Sequence, residues 1–546
     1  MSHKLKPKLL SVLKTYTKEQ LVKDIIAGLI VAIIALPLSI GLAISSGATP
    51  EVGLYTAIVA GFFISLLGGS RVQIGGPSAT FMIVLYSVIS THGLEAMMLT
   101  TILAGIILVL FGLFKFGSTI KYIPYPITIG FTSGIAVTIF SSQINDFLGL
   151  NLSDIPAEFT SKWALYFSAI PQTHINTMLV GLLALAILIG WPRINKQVPG
   201  SLIAIIATTV LVYFFDLEVL TIGAMYPDLS ASLPPFKIPE ITFEKVAVLI
   251  EPAFTIAFLC SVESLLSAVV SDGMIGSRHR SNMELVAEGV ANIASGLFGG
   301  MPATGAIART VANVKNGGRT PIAGIVHAIV LLLILVFFMP LVKLIPLPTL
   351  AAILIIVSYN MSEWRTFTYL LKAPKSDVAV LLATFFLTVF FDLALAISVG
   401  MVLASILFMK RMTDVMDVHD VLDRNEDGDD DELLNPLVGR VLVYDVSGPF
   451  FFGAADKLLN SIENLEGDSK VLILKMKHAS IIDATGIRAL RMMHENASKH
   501  ETQLILSQAN EAVLRVMNQT GFTEELGSQY ICETYEQALE RAKTFE

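Results

Sequence analysis

The sequence predicts a mainly α-helical membrane protein with a small α/β domain at its C-terminal end. Three observations predict it. Only 15% of the 546 residues are charged and 54% are hydrophobic, whereas a soluble domain carries about 25% charged residues. Apolar segments recur from residue 24 to residue 410, separated by charged connections. Beyond residue 437 the apolar runs become short and alternate with amphipathic stretches, the pattern of a layered α/β fold.

Residues 1–23 are basic and polar, with Lys4, Lys6, Lys8, Lys14, Lys18 and Lys23, and are expected to be cytoplasmic. The apolar run that follows is longer than a signal-peptide core and lacks a convincing cleavage site, so it reads as a retained first span. Apolar segments then fall at about 24–46, 50–68, 78–91, 95–114, 124–142, 176–191, 199–215, 249–270, 284–298, 304–314, 320–340, 347–358, 377–391 and 393–410. These make fourteen transmembrane segments. Two of them, 78–91 and 304–314, fall short of the roughly 20 residues a full span needs and are expected to be half-helices that start inside the bilayer. Pro37 is expected to kink or unwind the first span.

Charge supports the count. With the N-terminus inside, the inner loops hold Arg71, Lys115, Lys121, Arg193, Lys196, Arg278, Arg280, Lys315, Arg319, Arg365, Lys372, Lys375, Lys410 and Arg411. The outer loops hold only Lys162, Lys237, Lys245 and Lys343, a strong positive-inside bias. Seven segments per half leave the two halves inverted about an axis in the membrane plane. The short segments are third in each half, and each opens on a broken stretch. The first is Gly75-Gly76-Pro77-Ser78-Ala79-Thr80 and the second runs from Gly299-Gly300-Met301-Pro302 to Arg309-Thr310. Broken backbone at membrane depth must be buried in protein or line a cavity, and interrupted helices at matching places in two halves point to a transporter's central site.

Residues 412–436 read as an acidic, solvated linker. Within it Asp423-Arg424-Asn425-Glu426-Asp427-Gly428 matches the start of a calcium loop, but Leu434 stands where the twelfth-position Glu belongs. In 437–546 strands are expected at 440–446, 471–476 and 503–507, and helices at 454–464, 485–499, 510–519 and 534–544. Cys260 and Cys532 imply no disulfide framework. The nine histidines show no metal-ligand spacing, and the net charge of −8 comes largely from the acidic run. No cofactor, metal or nucleic-acid partner is expected, and Asp272 with Arg278-His279-Arg280 reads as an inner-face loop.

Backbone N–H groups at a helix start are unsatisfied and attract anions. Two such starts converge here, with the Ser78 hydroxyl at one and the Arg309 cation at the other. The expected cargo is therefore a small inorganic or organic anion. Glu263 lies in an apolar run, with Ser267 one turn beyond, and an ionisable group at that depth is costly and usually functional. A proton carrier, a sodium ligand shared with Ser267, and a static partner for Arg309 are its three open roles.

These residues carry a resemblance. Gly75-Gly76-Pro77-Ser78, Ser261-Val262-Glu263-Ser264-Leu265-Leu266, Pro302 to Thr310 and Gly317-Gly318-Arg319-Thr320 resemble the sulfate permease (SulP) family of anion transporters. The tail resembles a STAS domain, with Asp483-Ala484-Thr485-Gly486 similar to that family's Asp-x-Ser/Thr-Gly loop. The resemblance implies a core domain (spans one to four and eight to eleven) moving against a gate domain, an elevator cycle, a homodimer and a cytoplasmic STAS domain. It implies substrate contacts at Ser78, Ala79, Ala306, Ile307, Ala308 and Arg309, with coupling at Glu263. The family's sodium-coupled bicarbonate carriers have Asp at position 263, Thr at 267 and no arginine at 309. This sequence departs at all three, and its Glu-plus-Arg arrangement resembles the proton-coupled members. Many relatives have Gln where Leu38 stands. Thr485 matches a residue phosphorylated in soluble STAS proteins, so Asp483, Thr485 and Gly486 are candidate regulatory residues for a cytoplasmic protein partner.

The expectation is thus a secondary active transporter of a sulfate-, bicarbonate- or dicarboxylate-class anion, proton-coupled and not an enzyme, in a bacterial inner membrane. The alternatives are a sodium-coupled bicarbonate transporter and an uncoupled exchanger or channel of the same fold.

Overall fold

The computed structural model describes residues 5–118, 124–152, 155–156, 158–195, 198–229, 231–391, 393–415, 417–420, 440–450 and 469–545. The chain folds as two units, Met1–Met401 and Val402–Glu546.

In the first unit α1 (Lys18–Ser45) starts at Thr17, whose hydroxyl accepts from Gln20 N–H. It runs on past Pro37, so the chain is not unwound there; proline is tolerated in membrane helices where neighbours satisfy the freed carbonyl. α2 (Pro50–Leu67) packs against it at Gly53, where a Cβ would strike Ser39 O. A short strand, β1 (Gly75–Pro77), and a single turn at Ala79–Phe81 lead into α3 (Met82–Leu113). Gly93 interrupts α3 with φ +82° and ψ 177°. Only glycine adopts this conformation readily, and it divides α3 where the sequence divides 78–91 from 95–114.

α4 (Tyr125–Leu148) is followed by α5 (Phe159–Ala169), which hydropathy did not foresee because half of it is polar. α5 is held by Trp163, whose indole donates to Ser141 Oγ at 3.0 Å, and by the buried ring of Tyr166. Next come α6 (Ile175–Ile194), α7 (Gly200–Phe214), α8 (Phe243–Ile275) and α9 (Ser281–Leu297). Then follow β2 (Ala303–Gly305), α10 (Ile307–Lys315), α11 (Ile322–Val342), α12 (Leu347–Met361), the unforeseen short α13 (Trp364–Leu370), α14 (Lys375–Phe390) and α15 (Leu393–Val415), within which the first unit ends at Met401. Among the described residues eight helices are long and apolar enough to cross a membrane, in α1, α2, Ala79–Leu113, α4, α6, α8, α11 and α15. Glycines set the closest approaches. Gly105 and Gly112 of α3 lie against Gly289 O and Asn282 O of α9, and Gly289 and Gly296 lie against Gly105 O and Met98 O. Both helices thus repeat glycine every seventh residue along one seam, the small-residue contact by which helices pack in lipid.

The second unit holds the sheet β3 (Asp417–Asp420), β4 (Val441–Phe450), β5 (Val471–Lys475), β7 (Gln503–Ser507) and β8 (Ile531–Cys532), in that order, with β6 (Ala479–Ile482) also on β4. Neighbours from β4 to β8 are parallel, and β3 is antiparallel to β4. β5 is apolar and buried on both faces from Val471 to Leu474, as strands of a covered parallel sheet are. α16 (Ala484–Lys499), α17 (Glu511–Gln519) and α19 (Tyr535–Ala542) flank it, with the short α18 (Phe522–Leu526) between the last two. The linker reading of 412–436 needs correction at Asp417–Asp420, which form the edge strand; an edge position accepts acidic residues that an inner strand would not. The calcium-loop match at 423–434 and the helix expected at 454–464 lie outside the described residues.

Candidate functional site

The two broken stretches meet. β1 and β2 pair antiparallel with Gly75 opposite Gly305, Gly76 opposite Thr304 and Pro77 opposite Ala303, and Ala306 N–H extends the ladder to Ile74 O at 3.0 Å. Glycine lets these backbones cross. A Cβ on Gly75 would run into Ile64, one on Gly305 into the Gln73 side chain, and one on Gly76 into the Arg309 guanidinium.

A non-helical crossing at this depth exposes peptide groups that no lipid can satisfy. Buried side chains satisfy them instead. Asn292 accepts from Ala303 N–H at 2.8 Å and donates to Ala303 O at 2.9 Å. Thr56 Oγ1 accepts from Met301 N–H, and Ser295 Oγ donates to Met301 O, both at 2.8 Å. Glu288 Oε1 accepts from Gly305 N–H at 2.9 Å and from Ser264 Oγ at 2.8 Å. Thr310 Oγ1 accepts from Ile74 N–H at 3.1 Å, and Asn313 Nδ2 donates to Val72 O at 2.8 Å.

Two helix starts flank the crossing. Ser78 caps the turn at Ala79–Phe81, its hydroxyl accepting from Thr80 N–H at 3.3 Å. The start of α10 has no side-chain cap: Ala306 stands at its N-cap, and Ile307 and Ala308 in its first turn are exposed. Its first N–H groups are therefore free to meet a ligand. Arg309 projects from the same turn, is 2% exposed, and donates from Nη2 to Pro77 O at 3.0 Å. Its Nη1 has no protein acceptor.

Ser78 also reaches Glu263, with Oγ 2.9 Å from Oε1 and 2.8 Å from Oε2. Its hydroxyl is thus committed to the carboxylate. The ion pairs among the described residues do not include Glu263 with Arg309. Ser267 is brought to Thr310 rather than to the carboxylate, donating to Thr310 Oγ1 at 3.3 Å. The structure therefore gathers Ser78, Ala79, Glu263 and Ala306 to Arg309 around one crossing, with Ser267 as a tie between α8 and α10. In the other unit the Asp483 carboxylate caps α16, accepting from Thr485 N–H at 3.0 Å and Gly486 N–H at 2.8 Å.

Sequence reasoning missed Glu284 and Glu288, both fully buried on α9, along with Asn292 and His327. The signal was present: two carboxylates four residues apart inside an apolar segment are an expense that needs a cause. A cavity of about 750 Å³ opens nearby between α3, α4, α5 and α8, lined by Met82, Tyr86, Asp146, Lys162, Glu251 and Thr255 among others. Neither Ser78, Glu263 nor Arg309 lines it, but Met82 and Thr255 bring it within a few helical turns of them.

Comparison with known proteins accounts for both units. Residues 21–384 match the sulfate permease family, and residues 435–538 match the STAS domain. The Bacillus subtilis (strain 168) protein YvdB is 39% identical over 531 residues, covering 96% of this chain and 98% of its own length. The bicarbonate transporter BicA of Picosynechococcus sp. is 29% identical over 511 residues, 88% of each chain. The structure of murine Solute Carrier 26 family member A9, an anion transporter in the inward-facing state, superposes with a TM-score of 0.87 at 18% identity, covering 99% of this chain and 94% of that one. With two thirds of its length matched to the family, this chain belongs to the sulfate permease family: a multi-pass membrane anion transporter, not an enzyme, that ends in a STAS domain.

Proposed function

We propose that this protein carries a small anion of the sulfate, bicarbonate or dicarboxylate class across the membrane together with a proton, by elevator-type alternating access. In this reading the cargo sits between the starts at Ala79 and Ile307, against Ser78, Ala79, Ala306, Ile307, Ala308 and Arg309. The observation that carries it is the uncapped start of α10 beside a buried arginine with a spare N–H. Such a start binds anions without further charge.

Charge explains the coupling. With Glu263 ionised, its charge offsets that of Arg309 and Ser78 is held by the carboxylate. A proton on Glu263 removes the negative charge, leaves the arginine in surplus and frees the Ser78 hydroxyl for cargo. The negative cargo and the proton therefore favour one another's binding, each by the same factor. The departures from the sodium-coupled carriers' pattern at Glu263, Ser267 and Arg309 support a proton rather than a sodium ion as the coupled species.

The fourteen apolar segments are read as spans in two inverted sets of seven. The antiparallel register of β1 and β2 supports this, since a two-fold axis in the membrane plane relates equivalent strands head to tail. Residues 24–411 form the transporter with core and gate domains. Residues 1–23, the 412–436 segment and the STAS domain (437–546) face the cytoplasm of an inner membrane, in a homodimer. Asp483, Thr485 and Gly486 form the proposed regulatory contact for a cytoplasmic partner.

Uptake into proteoliposomes tests the site. Arg309→Ala abolishes uptake, and Glu263→Gln keeps exchange but loses acceleration by an inward proton gradient. A Glu263→Gln protein still driven by that gradient removes the coupling claim. Current without saturable uptake indicates a channel.

A further inference from the structure

We propose that the N-terminal strap (residues 5–17) and two loops of the first unit (68–74 and 276–280) form a site for the phosphate of an anionic phospholipid headgroup. Three segments are bonded together there. Lys8 N–H donates to Gly68 O at 2.8 Å, and Arg280 N–H donates to Gly69 O at 3.1 Å. Lys8 Nζ donates to Arg278 O at 2.7 Å. The Arg280 guanidinium donates back to Lys6 O at 2.7 Å and to Ser11 Oγ at 3.1 Å. These bonds bring Lys8 and Arg280 together at the exposed Arg278, Arg71 lies close enough for its charge to act on Lys8, and the buried Nε of Arg71 has no protein acceptor.

The acids nearby do not neutralise the group. Asp272 is taken by His279, accepting from its N–H at 2.6 Å and pairing with its Nδ1 at 2.8 Å, and by Ser277 Oγ at 3.1 Å. Glu284 is fully buried and accepts from Ser70 N–H. Burial, then Arg280 and Arg71, hold the Lys8 ammonium below the usual lysine range, with Asp272 opposing. Four cations against Asp272 and the buried Glu284 leave a positive excess, and such an excess attracts phosphate.

The same strap argues for a lipid rather than a soluble phosphate. Leu5, Leu10 and Leu13 are 50%, 50% and 49% exposed, and a segment with leucines beside cations lies at the boundary of headgroups and acyl chains. This inference rests on the membrane assignment and not on Arg309 or Glu263, so its failure leaves the transport reading untouched.

The test is thermal unfolding of the purified full chain in nanodiscs of phosphatidylcholine alone or with one third phosphatidylglycerol. The anionic lipid raises the midpoint of the unaltered protein by several degrees, and added salt shrinks the gain. Arg71→Gln and the exposed Arg278→Gln each lose at least half of the gain while keeping the phosphatidylcholine midpoint. If Arg71→Gln fails to fold, Arg278→Gln alone decides. A full gain in Arg278→Gln overturns the proposal, and so does an equal gain from inorganic phosphate in phosphatidylcholine nanodiscs.

Discussion

Replacing Gly76 by alanine puts a methyl group where the Arg309 guanidinium now lies. The side chain must move, and its bond to Pro77 O at 3.0 Å is the contact most directly lost. A hydrogen bond from a charged donor contributes about 1.5–3 kcal/mol. If that contact is what aims Arg309 at the cargo, the concentration for half-maximal uptake rises roughly 10- to 150-fold. Overpacking costs about 1–3 kcal/mol of stability besides, which lowers the unfolding midpoint without removing the fold. The assay is initial-rate uptake against anion concentration in proteoliposomes, with sulfate, bicarbonate, chloride, fumarate and succinate in turn. Circular dichroism and thermal unfolding of the same preparation check the fold. Because Gly76→Ala and Arg309→Ala act through one group, the double variant should be no worse than Arg309→Ala alone. A Gly76→Ala protein with unaltered half-saturation would refute the reasoning, since the guanidinium would then not matter where it lies.

Three further outcomes follow from the same geometry. Asn292→Leu orphans Ala303 N–H and removes the amide donor from Ala303 O, to which Cys260 Sγ still donates at 3.3 Å; it should cost about 1–3 kcal/mol for the one orphaned group, read as a lower thermal midpoint. Asp483→Ala removes the cap of α16; amide exchange at Thr485 and Gly486 should quicken roughly 2- to 30-fold, matching about 0.5–2 kcal/mol for a lost N-cap. Tyr16, just before α1, is pushed up to about 12 by burial and then by Asp24, to which its hydroxyl donates at 3.0 Å. The folded state therefore holds this proton more tightly than the unfolded chain, whose phenol titrates near the ordinary value of 10.0. Its contribution to stability is complete below pH 10 and lost as pH rises toward 12. Tyr16→Phe should remove that part of the alkaline decline in a pH series of unfolding midpoints.

Much of this was legible in the sequence because it is written in residues that local physics constrains. Gly75-Gly76-Pro77 and Gly299-Gly300-Met301-Pro302 set two glycines and a proline within four residues, which disfavours an unbroken helix far more than one proline does, so the broken pair announced itself. Arg309 and Glu263 stood out as charges in apolar runs. The helix α5 did not, because Phe159–Ala169 interleaves Thr160, Ser161 and Lys162 with aromatics and so falls below any apolar threshold. The bond of Ser267 to Thr310 was not legible for a different reason. One turn of α8 separates it from Glu263, but Thr310 approaches from another helix, and helical spacing carries no record of the neighbour. Ser78 shows the same limit, since its hydroxyl reads as a cargo contact until Glu263 is seen 185 positions away in the chain.

The buried carboxylates of α9 explain how the site keeps its electrostatics simple. A crossing of two non-helical strands needs acceptors and donors from outside itself, and α9 supplies them through Glu288, Asn292 and Ser295, at successive turns of one face. Glu288 spends its acceptor capacity on Gly305 N–H, Ser264 Oγ, Gln73 Nε2 and Cys260 Sγ, so its lone pairs are matched by fixed dipoles rather than by a cation. Glu284 accepts from Ser70 N–H through Oε2 alone, its Oε1 having no partner among the described residues. Arg309 is thereby left without a carboxylate partner, and Glu263 with hydroxyl donors only. Those two are the groups at the crossing whose charge a passing anion or proton can still answer. On the proposed reading such a site keeps its shape when cargo leaves, because Thr56, Glu288, Asn292 and Ser295 hold the crossing and none of them is a proposed cargo contact.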